Sequence, residues 1–159
     1  MELRYHTPLT PEEQLAHGLA APQPLAIADR VRYAELDVLN HVNNKSYMTW
    51  FETLRVAYFE RLCAPLYETE IEQPRTVLRN ADVHFIREMV ENEDYIATAR
   101  VTAFRRTSYT IEQQLWSGDL RATMTGVMVM LDPKGPGRLP LPDSLRDLFR
   151  TRDGARAEG

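Results

Sequence analysis

Between Val31 and Arg55 the chain reads VRYAELDVLNHVNNKSYMTWFETLR, and this segment holds the side chains best suited to carbonyl chemistry. Asp37 and His41 precede a helix-periodic run, and Asn43, Asn44 and Ser46 crowd its first turn. A helix start exposes N–H groups without intrahelical partners and the equivalent of roughly half a positive charge, a place for a carbonyl oxygen that becomes negative. Asp37, held beside it, would activate water or attack the carbonyl carbon directly. The competing reading for an aspartate ahead of a helix is an N-terminal helix anion or an Asx turn. His41 would orient Asp37 or water, or tie down the loop by hydrogen bonds. Asn43 completes the candidate catalytic set by shaping the oxyanion site as a helix cap, and Asn44 stands beside it.

These residues need a rigid helix behind them, and the pattern supplies one. Tyr47, Trp50, Phe51, Leu54, Ala57, Tyr58 and Leu62 recur at helical spacing up to a stop at Pro65. Met48, Val56 and Phe59 widen the apolar surface, so the helix is expected to be covered on more than one side. A strand-like stretch, Ile27 to Glu35, precedes it. Four further strands are expected over Val77 to Arg87, Tyr95 to Phe104, Tyr109 to Trp116 and Leu120 to Leu131, the last two joined through Ser117-Gly118-Asp119. Thr10-Pro11-Glu12-Glu13 reads as a capping box closed at Gly18, and a second short helix spans Leu141 to Phe149. The expected organisation is an N-terminal appendage (1–24), one α+β domain (25–150) with a five-stranded antiparallel sheet curled around one long helix, and a flexible tail (151–159). Open sheet edges favour a second copy of the chain as partner, in a homodimer or homotetramer.

Asp37, the run His41-Val42-Asn43-Asn44, Tyr47 and Trp50-Phe51-Glu52 resemble the motif of hotdog-fold acyl-CoA thioesterases of the 4-hydroxybenzoyl-CoA thioesterase-like group. The resemblance extends from Ile27 to Phe149 and implies a hotdog domain whose aspartate, Asp37 here, is the catalytic carboxylate, with the helix N-terminus aimed at the thioester carbonyl and two subunits building the site. The same motif is similar to that of acyl-carrier-protein thioesterases, which carry two such repeats; 159 residues leave room for one. Asn40 replaces the glycine common before the histidine, Leu36 replaces a threonine, and Leu39 stands where the carrier-protein enzymes have asparagine. Asn40 tolerates a left-handed backbone.

The implied reaction hydrolyses an acyl-CoA to free acid and CoA, with CoA as part of the substrate and neither metal nor other cofactor. A carrier-protein thioesterase and a non-catalytic acyl-CoA-binding module are the alternatives. The phosphates of CoA call for basic groups near the entrance: Arg87, Arg105, Arg106 and Lys134, with Ser108 beside them. Tyr47 would line the acyl tunnel. Glu52 is either a backup carboxylate or the partner of Arg55 in an intrahelical ion pair. Cys63 reads as a small apolar filler.

Composition bounds the rest. The 159 residues are 43% hydrophobic and 26% charged, with a formal net charge of -4, which argues against a nucleic-acid partner but not against a small polyanion. A lone cysteine excludes an internal disulfide. No apolar run approaches the roughly 20 residues of a membrane span, and no secretory signal is apparent, so a cytoplasmic location is expected.

Overall fold

The structure, a computed structural model, describes residues 1–67 and 72–159. Thr10 Oγ1 accepts the Glu13 N–H at 3.2 Å and Glu13 Oε1 accepts the Thr10 N–H at 3.0 Å, so the capping box starts α1 (Pro11–Ala16) as expected. Gly18, at φ 99°, turns the chain out of it. The order then runs β1 (Leu25–Arg30), α2 (Asn44–Tyr58), β2 (Arg75–Phe85), β3 (Asp94–Phe104), β4 (Ser108–Ser117), β5 (Asp119–Leu131), α3 (Asp143–Asp153) and β6 (Arg156–Ala157). The sheet order is β1-β3-β4-β5-β2, with β6 parallel to β3 at Ala103 and Phe104. This is the expected α+β arrangement of an antiparallel sheet and one central helix.

Cα packing divides the chain into two compact units, one comprising Met1–Arg55, Val83–Ala99 and Gln113–Met124, the other Val56–Asp82, Arg100–Glu112 and Thr125–Gly159. In the first unit, α2 lays Tyr47, Trp50, Phe51 and Leu54 on the sheet. Trp50 stacks on Tyr95 of β3 with centroids 4.2 Å apart, and Gln113 of β4 donates to the Phe51 carbonyl at 2.8 Å. The N-terminal strap packs Leu9 and Leu19 with Ala26, Ala28 and Ile96. Tyr95 meets α2 while its neighbour Ile96 meets the strap, so both faces of this part of β3 are buried. The strap also bonds β1, through the Leu9 N–H to the Ala26 carbonyl at 2.8 Å and the His6 N–H to the Ala28 carbonyl at 3.0 Å.

In the second unit, α3 packs Phe149 near Phe104 and Tyr109, at centroid distances of 6.1 and 5.2 Å. Buried Asp153 accepts the Val101 N–H at 2.9 Å, the Tyr58 hydroxyl and Arg152 Nε at 2.6 Å. Burial pushes the Tyr58 hydroxyl well above its ordinary range, so it remains a donor to that carboxylate.

The structure differs from the sequence expectation in three places. β1 stops at Arg30, because Glu35 Oε1 captures the Arg32 N–H at 2.8 Å and folds Tyr33–Glu35 into a 3-10 turn that leaves Tyr33 exposed. Among the described residues α2 is covered on one face, with Met48 and Val56 exposed, and it loosens into a π turn (Phe59–Cys63) before Pro65. The tail, expected to fray, carries the last turn of α3 and β6, anchored by Asp153 and buried Ala155.

Arg4 holds the Glu13 carboxylate down to about 2, aided by the Thr10 amide. A carboxylate depressed in the folded state stabilises it above its unfolded value near 4.5 and loses that contribution as pH falls toward 2. The Tm of Glu13→Gln should therefore lie below that of the parent at pH 7 and converge on it between pH 4.5 and 2. A gap independent of pH contradicts this account of the strap.

Candidate active site

The segment before α2 is organised by Glu35 and Asp37. The Glu35 carbonyl accepts the Asn43 N–H at 2.8 Å and Ser46 Oγ at 3.2 Å, while Glu35 Oε2 accepts Trp50 Nε1 at 2.6 Å. One glutamate thus ties the incoming loop to the first two turns of the helix. Leu36 and Val42 form an isolated antiparallel bridge, and the Asp37 N–H donates to the His41 carbonyl at 2.8 Å. Asn40 reverses the loop at φ 61°, the left-handed conformation that asparagine tolerates. Asp37 Oδ1 accepts the Leu39 N–H at 2.8 Å and the His41 N–H at 3.4 Å, so the Asx turn is present. Asp37 Oδ2 has no protein donor among the described residues. The turn therefore does not exclude chemistry: one oxygen holds the loop and the other is available.

The helix start can be followed donor by donor. The Val42 N–H donates to the Met89 carbonyl at 2.8 Å, Lys45 N–H to Asn43 Oδ1 at 3.0 Å, and Ser46 N–H to the Asn43 carbonyl at 2.9 Å. Asn43 is the cap. The Asn44 N–H has no protein acceptor among the described residues, and Asn44 lines a cleft with Asp37, His41 and Val42. Tyr47, Phe85, Ile86, Arg87 and Glu88 complete the walls, and the cavity measures about 240 Å³. Tyr47 packs edge-on against Phe85 at 5.2 Å, and burial pushes its hydroxyl above the ordinary range, which keeps it protonated at neutral pH.

The structure brings together Asp37, His41, Asn44, Tyr47 and Arg87 in one cleft, with Asn43 beneath as cap. Arg87 is exposed and donates to Asp119 Oδ2 at 2.8 Å. Arg105, Arg106 and Ser108 do not line this cleft; Arg105 pairs with Glu158 at 2.9 Å and Ser108 is buried. Lys134 pairs with Glu72 at 3.3 Å. Glu52 is exposed, whereas Arg55 turns inward to Gln113 Oε1 at 3.1 Å. Cys63 is buried and its thiol pushed up to about 12, mainly by desolvation, as suits a filler. Among the described residues no group of three or more His, Cys, Asp or Glu is placed to hold a metal ion.

Sequence reasoning missed Glu35, Glu88, Met89 and Arg121. Arg121 had a signal, a lone charge in the apolar strand LRATMTGVMVML. Glu88 and Met89 had none, because they act through main-chain carbonyls.

Asp37 and Asn44 line one cleft, and the central helix on an antiparallel sheet is the arrangement of the hotdog fold. The sequence profile of the thioesterase-like superfamily matches residues 31–149, and the chain belongs to that family. A thioesterase-superfamily structure from Jannaschia sp. CCS1 is 38% identical, with a TM-score of 0.86 over 98% of this chain and 99% of its own. A thioesterase from Thermus thermophilus, complexed with coenzyme A and zinc, is 28% identical, with a TM-score of 0.70 over 83% of this chain and 96% of its own. The uncharacterized Bacillus subtilis protein YsmA is 26% identical over 64% of this chain and 67% of its own.

If Glu35 holds the loop to the helix, Glu35→Ala should destabilise the protein by about 2 kcal/mol in urea unfolding, the loss expected when hydrogen bonds to a charged acceptor are removed. Trp50 emission should shift to the red. Unchanged stability would show that the loop is held by other contacts.

Proposed function

We propose that the protein is an acyl-CoA thioesterase that hydrolyses its substrate to a free acid and CoA. The observation that carries this reading is that one cleft is lined both by Asp37, whose Oδ2 has no protein donor among the described residues, and by Asn44, whose N–H has no protein acceptor among them. The thioester carbonyl oxygen would lie against the Asn44 amide, where the helix dipole adds to the hydrogen bond. Asp37 would then take a proton from water, whose oxygen adds to the carbonyl carbon, or would itself form an acyl anhydride that water opens. In either route the C–S bond breaks, the sulfur leaves with a proton as CoA thiol, and the acyl group gains the elements of hydroxide. His41 lies on the same cleft, within the loop that Asp37 closes, and would steady the water. Arg87 is the Lys or Arg of the lining and would meet the anionic part of CoA. The coenzyme A complex of the Thermus thioesterase is consistent with this substrate class.

Asp37→Asn keeps the amide oxygen that can accept the Leu39 N–H, so the loop should persist while the basic carboxylate is lost. Thiol release from a panel of acyl-CoAs should fall by roughly 100-fold or more, the usual scale for a general base, with the Tm preserved. Undiminished turnover removes Asp37 from the mechanism. Binding without turnover in the parent protein would favour a ligand-binding module, and preference for acyl groups on carrier protein would favour the carrier-protein enzyme.

We further infer a self-associated state, consistent with a substrate site shared between copies. The strap bonds β1 at one end of the sheet order, whereas at the other end β2 has no outer partner among the described residues and exposes Val77 and Phe85. Sedimentation equilibrium should report at least two 18.4 kDa chains at micromolar concentration, and Val77→Lys should shift the population toward monomer. A monomeric parent protein contradicts the inference.

A further inference from the structure

The residue that holds the wall of the cleft lies outside it. Arg121 of β5 is 8% exposed, and it does not line the cleft. Its Nη1 donates to the Glu88 carbonyl at 2.8 Å, its Nη2 meets Glu93 Oε1 at 3.0 Å, and its Nε meets Asp119 Oδ1 at 2.5 Å. Its own carbonyl accepts the N–H groups of Ile86 at 2.9 Å and Arg87 at 3.2 Å. One residue therefore grips the 86–93 segment near both ends. Between these grips the Glu93 carboxylate accepts the Val90 N–H at 2.7 Å, and Asn92 turns the chain at φ 68°. At the centre is Met89, fully buried, whose carbonyl receives the Val42 N–H at 2.8 Å immediately before the helix.

We propose that Arg121 is a positioning residue of this site: by fixing the 86–93 segment it places the Met89 carbonyl, and through Val42 it sets where the Asp37 loop and the free Asn44 amide stand. The claim rests on the thioesterase reading for its kinetic part alone. A planar guanidinium suits the task because it offers donors in several fixed directions at once, and a lysine ammonium cannot serve the Glu88 carbonyl, Glu93 and Asp119 in the same geometry. Misplacing a reacting group by a fraction of a bond length acts on the chemical step rather than on nucleotide binding.

The test compares Arg121→Lys with the parent on an acyl-CoA and on the matching acyl-N-acetylcysteamine thioester, which lacks the nucleotide, together with amide hydrogen exchange. We expect kcat to fall about tenfold on both substrates with KM changed by less than about twofold. The Val42 amide should exchange on the order of tenfold faster, with the β1–β3 ladder amides unchanged. By contrast, Arg87→Gln should raise KM for the CoA ester only. Unaltered kcat and Val42 exchange in Arg121→Lys overturn the proposal, and so does a loss confined to KM for the CoA ester. If Arg121→Lys does not fold, Glu93→Gln weakens the same grip and should show the same pattern at about threefold; no change there overturns it. Should the parent hydrolyse neither thioester, the thioesterase reading fails, and Val42 exchange still decides whether Arg121 holds the loop.

Discussion

An α-helix begins with N–H groups that its own turns cannot satisfy, and the way α2 disposes of these groups governs the rest of the site. Val42 gives its hydrogen to Met89, Asn43 to Glu35, and Lys45 and Ser46 to Asn43. Among the described residues the Asn44 amide is left over, and Asn44 is one of the residues that line the cleft. A buried donor left in this position would cost stability, but Asn44 is exposed, so its N–H can be met by water and, in the proposed reaction, by a substrate oxygen. The site is therefore defined as much by the bonds that consume its neighbours as by the one group that remains free.

Each acceptor in that set has its own support. Glu35 is held through Trp50 and the Arg32 amide, so the loop entering the helix and the helix itself move together. Met89 is held because Arg121 grips the segment around it. The Trp50–Tyr95 stack and the Gln113 bond to the Phe51 carbonyl fix the helix on β3 and β4, which gives the loop contacts a rigid reference. Charge is arranged with the same economy. Arg121 is surrounded by carboxylates and the Glu88 carbonyl, while Arg87 stays exposed at the cleft with a single side-chain bond to Asp119. A buried cation without those partners would be strongly destabilising.

The central helix, the strand succession and the Asp37 loop were legible because they depend on local periodicity and on residues close in sequence. Tyr47, Trp50, Phe51 and Leu54 share one face at any plausible packing, and Asp37, Asn40 and Asn43 act within their own loop. What escaped depends on residues far apart. Met89 serves Val42 through a main-chain carbonyl, for which side-chain identity carries no mark. The burial of Ile96 opposite Tyr95 reflects a strap outside the family match, and the strap contacts depend on tertiary packing. The tail composition, rich in charge, suggested fraying; Asp153 is retained because the Val101 amide and the Tyr58 hydroxyl give its carboxylate partners. Arg105, Arg106 and Ser108 share with Arg87 the polarity that CoA phosphates and the family resemblance call for, but they do not line its cleft.

The central claim is that the free amide at the start of α2 receives the reacting carbonyl beside Asp37. A crystal structure of Asp37→Asn soaked with an acyl-CoA tests it most directly, since the variant should bind substrate and turn it over too slowly to lose it. The account predicts the thioester oxygen at about 3 Å from the Asn44 nitrogen, with the carbonyl carbon next to residue 37. An acyl group bound in a different cavity, or a carbonyl oxygen directed away from the helix start, would contradict it.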